Sequence, residues 1–93
     1  MRGRRDGRVG FCIFPGYNWC GPGCSGPGAP MNEVDASCKA HDECYRRYVS
    51  RCQCDLEFLH RLRLQANPYT EQGRKATLMY KYMRIQSFFT CGF

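Results

Sequence analysis

The chain predicts a small all-α domain stapled by disulfides, and three observations lead there. Eight cysteines stand in only 93 residues, a density typical of disulfide scaffolds. Apolar residues recur at helical spacing in three segments from Asn32 onward. Strand signals are weak throughout, and no repeat or second domain is visible. A chain this short lies near the lower limit for burying a sufficient core unaided. An even cysteine count at tight local spacings therefore implies folding in an oxidising compartment, secreted or otherwise extracellular.

Residues 1–10, MRGRRDGRVG, carry Arg2, Arg4, Arg5 and Arg8 against Asp6 alone. They can bury almost nothing and read as a flexible basic arm before a domain over 11–93. The formal charge of +6 directs the chain toward anionic partners, namely lipid head groups, nucleic acid or acidic polymers. No apolar run approaches the ~20 residues of a membrane span. The basic start is not followed by an apolar run, so no signal peptide is visible.

Phe11, Ile13 and Phe14 are apolar anchors, and Pro15-Gly16 turns the chain. From 17 to 30 the composition is loop, YNWCGPGCSGPGAP. Such a loop loses much entropy when ordered, so Cys20, Cys24 and a bound ion are its expected fixings. Asn32 is a good N-cap, and Asp35 completes a capping-box-like pattern. Val34, Cys38, His41, Tyr45 and Tyr48 then recur at spacings of 4, 3, 4 and 3, one face of a helix. Lys39, Glu43, Arg46 and Arg47 fall on the solvated side, and Asp42 lies about 100° round from His41. Residues 50–53 read as a connection. A second helix is expected over 54–66, with Leu56, Leu59 and Leu62 for the core and Arg61 and Arg63 in water. Asn67-Pro68 breaks it. Thr70 can cap a third helix from 71 to about 88, with Ala76, Met79, Tyr80, Met83 and Ile85 as apolar contacts. Gly73 weakens its first turn, and Cys91 ties down the end.

A histidine on an apolar face is more often a packed core residue than a catalyst, but the neighbours of His41 carry chemistry. The glycine-rich loop can turn several carbonyls toward one point. With the Asp42 carboxylate these form the oxygen cluster a hard cation such as calcium needs. A short link makes the first two helices antiparallel. Were Cys44 bonded to Cys54, Asp55 would come within about a turn of His41. An imidazole with one nitrogen on a buried carboxylate is the arrangement of a general base. With no nucleophilic serine or cysteine in place, the base would activate water, and the cation would polarise an ester carbonyl. Calcium-assisted ester hydrolysis follows.

YNWCGPGC, the D-x-x-C-x-x-HD-x-CY run and CQCD together resemble secreted phospholipase A2, in particular its compact bacterial members. FPGYNWCGPG is also similar to the phospholipase domain of parvovirus capsid proteins. The resemblance covers about 14–59. It implies His41 as general base, Asp55 as the aspartate orienting it, Tyr45 as a tyrosine bonded to that aspartate, and Asp42 as the calcium carboxylate. It also implies calcium-binding carbonyls from Trp19, Gly21 and Gly23, the Gly21 amide as an oxyanion donor, and disulfides Cys20–Cys38 and Cys44–Cys54. Cys12, Cys24, Cys52 and Cys91 then allow three pairings, of which Cys12–Cys24 with Cys52–Cys91 is our choice. Ser37 stands where much of the family has a second cysteine. The loop before Asp35 is two residues longer than the family's usual one. Twelve residues between Asp42 and Asp55 leave no room for the family's β-wing. A second tyrosine on the orienting aspartate is lost with that wing, and Tyr80 or Tyr82 is the candidate replacement.

The expected activity is calcium-dependent release of the sn-2 fatty acid at a phospholipid surface. The protein would act as a monomer, favour anionic lipid and need no nucleic acid. Phe14, Trp19 and Met31 would form the docking rim, unless Phe14 and Trp19 pack under the loop. One competing class is a zinc- or nucleic-acid-binding module using Cys20/Cys24, His41/Cys44 and Cys52/Cys54, although none has a common finger spacing. A phosphate cradle would need the Gly-Lys-Ser/Thr ending, which is absent. A further class is a catalytically silent relative that binds membranes or partners.

Overall fold

In the computed structural model the described residues are 12–21, 24, 26, 28–47 and 50–92. The basic arm, Phe11, Gly23 and Tyr48 lie outside them. The described residues form three helices, α1 (Glu33–Arg46), α2 (Arg51–Gln65) and α3 (Glu71–Cys91), and no strand occurs among them.

Each helix begins at a side-chain cap. Asn32 Oδ1 accepts from the Asp35 amide at 2.9 Å, Ser50 Oγ from the Gln53 amide at 3.2 Å, and Thr70 Oγ1 from the Gly73 amide at 2.9 Å. These contacts satisfy amides that have no partner inside the helix. The Ser50 cap corrects the expected connection over 50–53, because α2 starts at Arg51 and takes in Cys52 and Gln53. At the other end α3 continues past 88 to Cys91, where Gly92 closes it in the left-handed conformation at φ 78°. Gly73 has a packing reason for standing in a helix. A Cβ there would collide with the Asn67 side chain, whose Oδ1 takes the amides of Tyr69 and Thr70 to shape the α2–α3 turn.

The helices run antiparallel in sequence. Ser37 meets Gln65 while His41 meets Asp55, and Asp55 meets Thr90 while Asn67 meets Gly73. Val34, Cys38, Phe58, Leu59, Leu62, Ala76, Met79 and Met83 form the core, with Phe14, Tyr17 and Trp19 closing it from the loop side. Burying a leucine such as Leu62 contributes about 1.5–3 kcal/mol. Two expected core residues are misplaced. Leu56 and Ile85 are exposed, and Phe58 takes the inner position on α2 that Leu56 was expected to share.

All eight cysteines are paired: Cys12–Cys24, Cys20–Cys38, Cys44–Cys54 and Cys52–Cys91. The four bridges close the loop, clamp it to α1, join α1 to α2 and join α2 to α3. Closing the 39-residue separation of the last bridge is worth about 4 kcal/mol in the chain-entropy account. At the position where the resemblance implies a second cysteine, the buried Ser37 hydroxyl accepts from Gln65 Nε2 at 2.8 Å and donates to the Glu33 carbonyl at 3.0 Å. A hydrogen bond thus ties α1 to α2 at that level.

Candidate active site

The site assembles from one turn of each helix and the edge of the loop. His41 and Tyr45, four residues apart on α1, point the same way toward Asp55 in the first turns of α2. His41 Nε2 lies 2.7 Å from Asp55 Oδ1, and the Tyr45 hydroxyl donates to the same oxygen at 2.6 Å. The imidazole is held between two rings, stacked on Phe58 at 4.4 Å and tilted against Tyr45 at 4.5 Å. The Cys44–Cys54 bridge stands beside this contact, as its expected role requires.

Asp55 is completely buried. Burial alone would push its carboxyl up, but hydrogen bonds from Thr90, Tyr45 and His41 outweigh it and hold the group below its ordinary value. Burial and the bond to Asp55 push the Tyr45 phenol up to about 12, so it remains a donor at neutral pH. Gln86 Nε2 in turn donates to Tyr45 Oη at 3.2 Å.

The loop is fixed to α1 by a residue whose sequence signal was a helix cap. The fully buried Asp35 carboxylate accepts three backbone amides, from Trp19 at 2.8 Å, Asn18 at 2.9 Å and Met31 at 3.1 Å. Only half of a capping box therefore forms, because this side chain anchors the loop instead. The Trp19 indole donates to the Gly28 carbonyl at 3.0 Å, and its ring leaves no room for a side chain at Gly26, where a Cβ would sit 2.6 Å from it. Phe14 and Trp19 are buried, which removes them from the expected docking rim. Met31 alone of the three is exposed.

These elements enclose a cleft of about 300 Å³ lined by His41, Asp42, Gly21, Trp19, Tyr82 and Ile13, with Phe58, Met79 and Met83 at its apolar wall. Such a volume is at the lower end of ligand pockets. Asp42 shares the cleft with Gly21 and Trp19, and its Oδ2 accepts from Arg46 Nη2 at 3.0 Å. The Gly21 carbonyl accepts from the Cys24 amide at 3.0 Å, which leaves its second lone pair. One carboxylate with main-chain carbonyls would make a hard, all-oxygen donor set of the kind that suits calcium. The fourth expected ligand, Gly23, is outside the described residues. A zinc module has no thiolates to use, since every cysteine is in a disulfide. Among the described residues no three His, Cys, Asp or Glu side chains cluster as metal ligands.

A family model described as Phospholipase A2-like domain matches residues 11–84. The chain belongs to this family. That places it in the secreted phospholipase A2 superfamily its motifs resemble. A phospholipase A2 of Oryctolagus cuniculus is 37% identical over 60 residues, which is 64% of this chain and 36% of the relative. Phospholipase A2 AP-PLA2-I of Acanthaster planci is 43% identical over 42 residues, 44% of this chain and 25% of the relative. The chain thus spans about a third and a quarter of these two relatives' lengths. No solved structure matches it.

In this phospholipase A2-like domain the second donor to the aspartate is neither Tyr80 nor Tyr82. Thr90 Oγ1 donates to Asp55 Oδ2 at 2.6 Å, next to the Cys52–Cys91 bridge that pins the end of α3. Tyr82 lines the cleft instead. Thr90, Gln86, Phe58 and Asp35 were missed from sequence. A threonine near a C-terminus carries no signal for a contact made 35 residues away. If Asp55 orients His41 as the resemblance implies, Thr90 is a positioning residue, and Thr90→Val, close in shape, should lower kcat about 10- to 100-fold. Losing one buried hydrogen bond to a charge costs about 1.5–3 kcal/mol. Thr90→Ser should restore most of the rate. Unchanged kcat in the valine variant, with only a lower Tm, would leave Thr90 a purely structural role.

Proposed function

We propose that this chain is a calcium-dependent phospholipase A2 that hydrolyses the sn-2 ester of glycerophospholipids to a fatty acid and a lysophospholipid. The observation that carries the reading is the His41–Asp55 contact at 2.7 Å, with His41 in one cleft with Asp42 and Gly21. Asp55 accepts a hydrogen bond from Nε2–H, which keeps its proton, so the other ring nitrogen is the basic one. His41 removes a proton from water, and the hydroxide so formed attacks the ester carbonyl. Asp55 stabilises the imidazolium. His41 then returns the proton to the departing glycerol oxygen, so protons balance over the cycle. The Gly21 amide donates to the carbonyl oxygen as it becomes an oxyanion. Asp42 and the carbonyls of Trp19, Gly21 and Gly23 would hold calcium, which supplies positive charge to polarise the ester.

Four disulfides support an oxidising, extracellular setting. The substrate is a phospholipid surface, and the basic charge favours an anionic one. The test is a defined phospholipid incubated with and without a calcium chelator, both products being measured. Fatty acid and lysolipid should appear in equal amounts and fall to background in chelator. Equal rates in the two conditions would overturn the calcium-assisted mechanism.

A further inference from the structure

The outer side of α3 is apolar where a solvated helix would be polar. Leu78, Tyr82, Ile85 and Phe89 are 59%, 46%, 65% and 77% exposed, at spacings of 4, 3 and 4. At ~100° per residue they fall within about 60° of one another and run for about 16 Å. Ala76, Met79, Met83 and Ser87 occupy the buried side of the same helix. Phe88, 57% exposed, packs edge-on against Phe89 at 5.5 Å and widens the strip. A contiguous apolar surface of this kind marks an interaction site. The strip leads into the cleft, because Tyr82 belongs to both and faces the cleft with the half-exposed Ile13.

We propose that this face of α3 seats the protein on an anionic phospholipid bilayer, with the cleft opening toward the lipid. Charge decides the occupant. Arg74 and Lys81, both exposed, line one edge of the strip within about 70° of its centre. α3 carries Arg74, Lys75, Lys81 and Arg84 against Glu71 alone, and Glu71 is paired with Lys75 at 3.3 Å. A second copy laid face to face would add its own cations to this side, where like charges repel. An anionic bilayer accepts the apolar strip and neutralises the cations along its edge, each cation being worth roughly fivefold in affinity. No helix among the described residues is long and apolar enough to cross a membrane, so α3 would lie along the surface. The orientation of the cleft rests on the phospholipase reading, whereas the binding itself does not.

Binding is measured without turnover, in a His41→Gln background, by co-sedimentation with phosphatidylglycerol or phosphatidylcholine vesicles. Ile85→Glu/Phe89→Glu should weaken binding to phosphatidylglycerol at least tenfold. Arg74→Gln/Lys81→Gln should weaken it roughly 25-fold, from two such cations, with little effect on phosphatidylcholine. With His41 intact, Ile85→Glu/Phe89→Glu should lose activity on vesicles and keep it on a short-chain phospholipid dispersed as monomers. Unchanged vesicle binding in both double variants would overturn the proposal. So would a dimer of the unsubstituted chain by sedimentation velocity that Ile85→Glu/Phe89→Glu dissociates. If vesicle binding responds as expected but no variant with His41 hydrolyses monomeric lipid, the docking face stands and the phospholipase reading falls.

Discussion

Asp55→Asn should lower kcat by up to about 10⁴-fold, the loss known when a histidine-orienting aspartate is amidated, while leaving the fold nearly intact. The geometry explains the split. Asp55 Oδ1 receives His41 and Tyr45, and Oδ2 receives Thr90. An asparagine of the same shape can keep its oxygen toward His41 and Tyr45. The Thr90 hydroxyl then rotates to accept from the new amide, since a hydroxyl both donates and accepts. What the amide lacks is the charge that stabilises the imidazolium. In the opposite orientation the amide nitrogen faces His41 and forces the wrong tautomer. Steady-state kinetics should therefore show kcat falling with KM little changed. A residual rate within tenfold of wild type would remove Asp55 from the mechanism.

The same substitution has a pH signature. Hydrogen bonds hold the Asp55 carboxyl below its ordinary value of 3.8 in the folded protein. The unfolded chain therefore binds this proton first as pH falls. The stabilisation is complete above about pH 4 and is lost as pH drops through the lower native value. Tm measured against pH should show the wild type losing stability below about pH 4 by a contribution absent from Asp55→Asn.

Which parts of this arrangement sequence could yield follows from how far apart the partners lie. Caps at Asn32 and Thr70 are local contacts and were legible. His41, Asp42, Cys44, Tyr45, Cys54 and Asp55 lie close in the chain, and one bridge brings them together. Ser50 was read as connection because it begins no periodic pattern, although its side chain caps α2. Leu56 and Phe58 are both apolar and near each other, but Phe58 shares the buried face of α2 with Cys54, Asp55, Leu59 and Leu62 and stacks on His41, whereas Leu56 is exposed. Asp35 satisfied a helix-start pattern so well that its role in holding Asn18, Trp19 and Met31 was hidden. Thr90 and Gln86 reach the site 35 and 41 residues from their partners. No pattern within one helix encodes such contacts. They exist because Cys52–Cys91 fixes the last turn of α3 over the first turns of α2. Ile85 was assigned to the core on hydrophobicity alone, and its exposure belongs to the outer face of α3.

Asp42→Asn should abolish both calcium binding and turnover, because it removes the one carboxylate expected among the calcium ligands. Carbonyl dipoles then remain, and a hard divalent cation needs anionic oxygen to offset its loss of water. Calcium at 100 times its Kd should stabilise the wild type by about 2.7 kcal/mol and leave the variant unmoved, a readout by thermal shift that does not depend on activity. Arg46 supplies a second arm to the test. Its guanidinium sits 3.0 Å from Asp42 Oδ2 on the exposed side of α1, where it competes for the carboxylate and repels a nearby cation. Because this pair is exposed and screened, its effect is small. Arg46→Gln should lower the calcium concentration for half-maximal stabilisation two- to fivefold without lowering kcat at saturating calcium. If Asp42→Asn kept a calcium-dependent rise in Tm, the ion would be held elsewhere. The loop carbonyls and this carboxylate would then no longer account for the chemistry of the cleft.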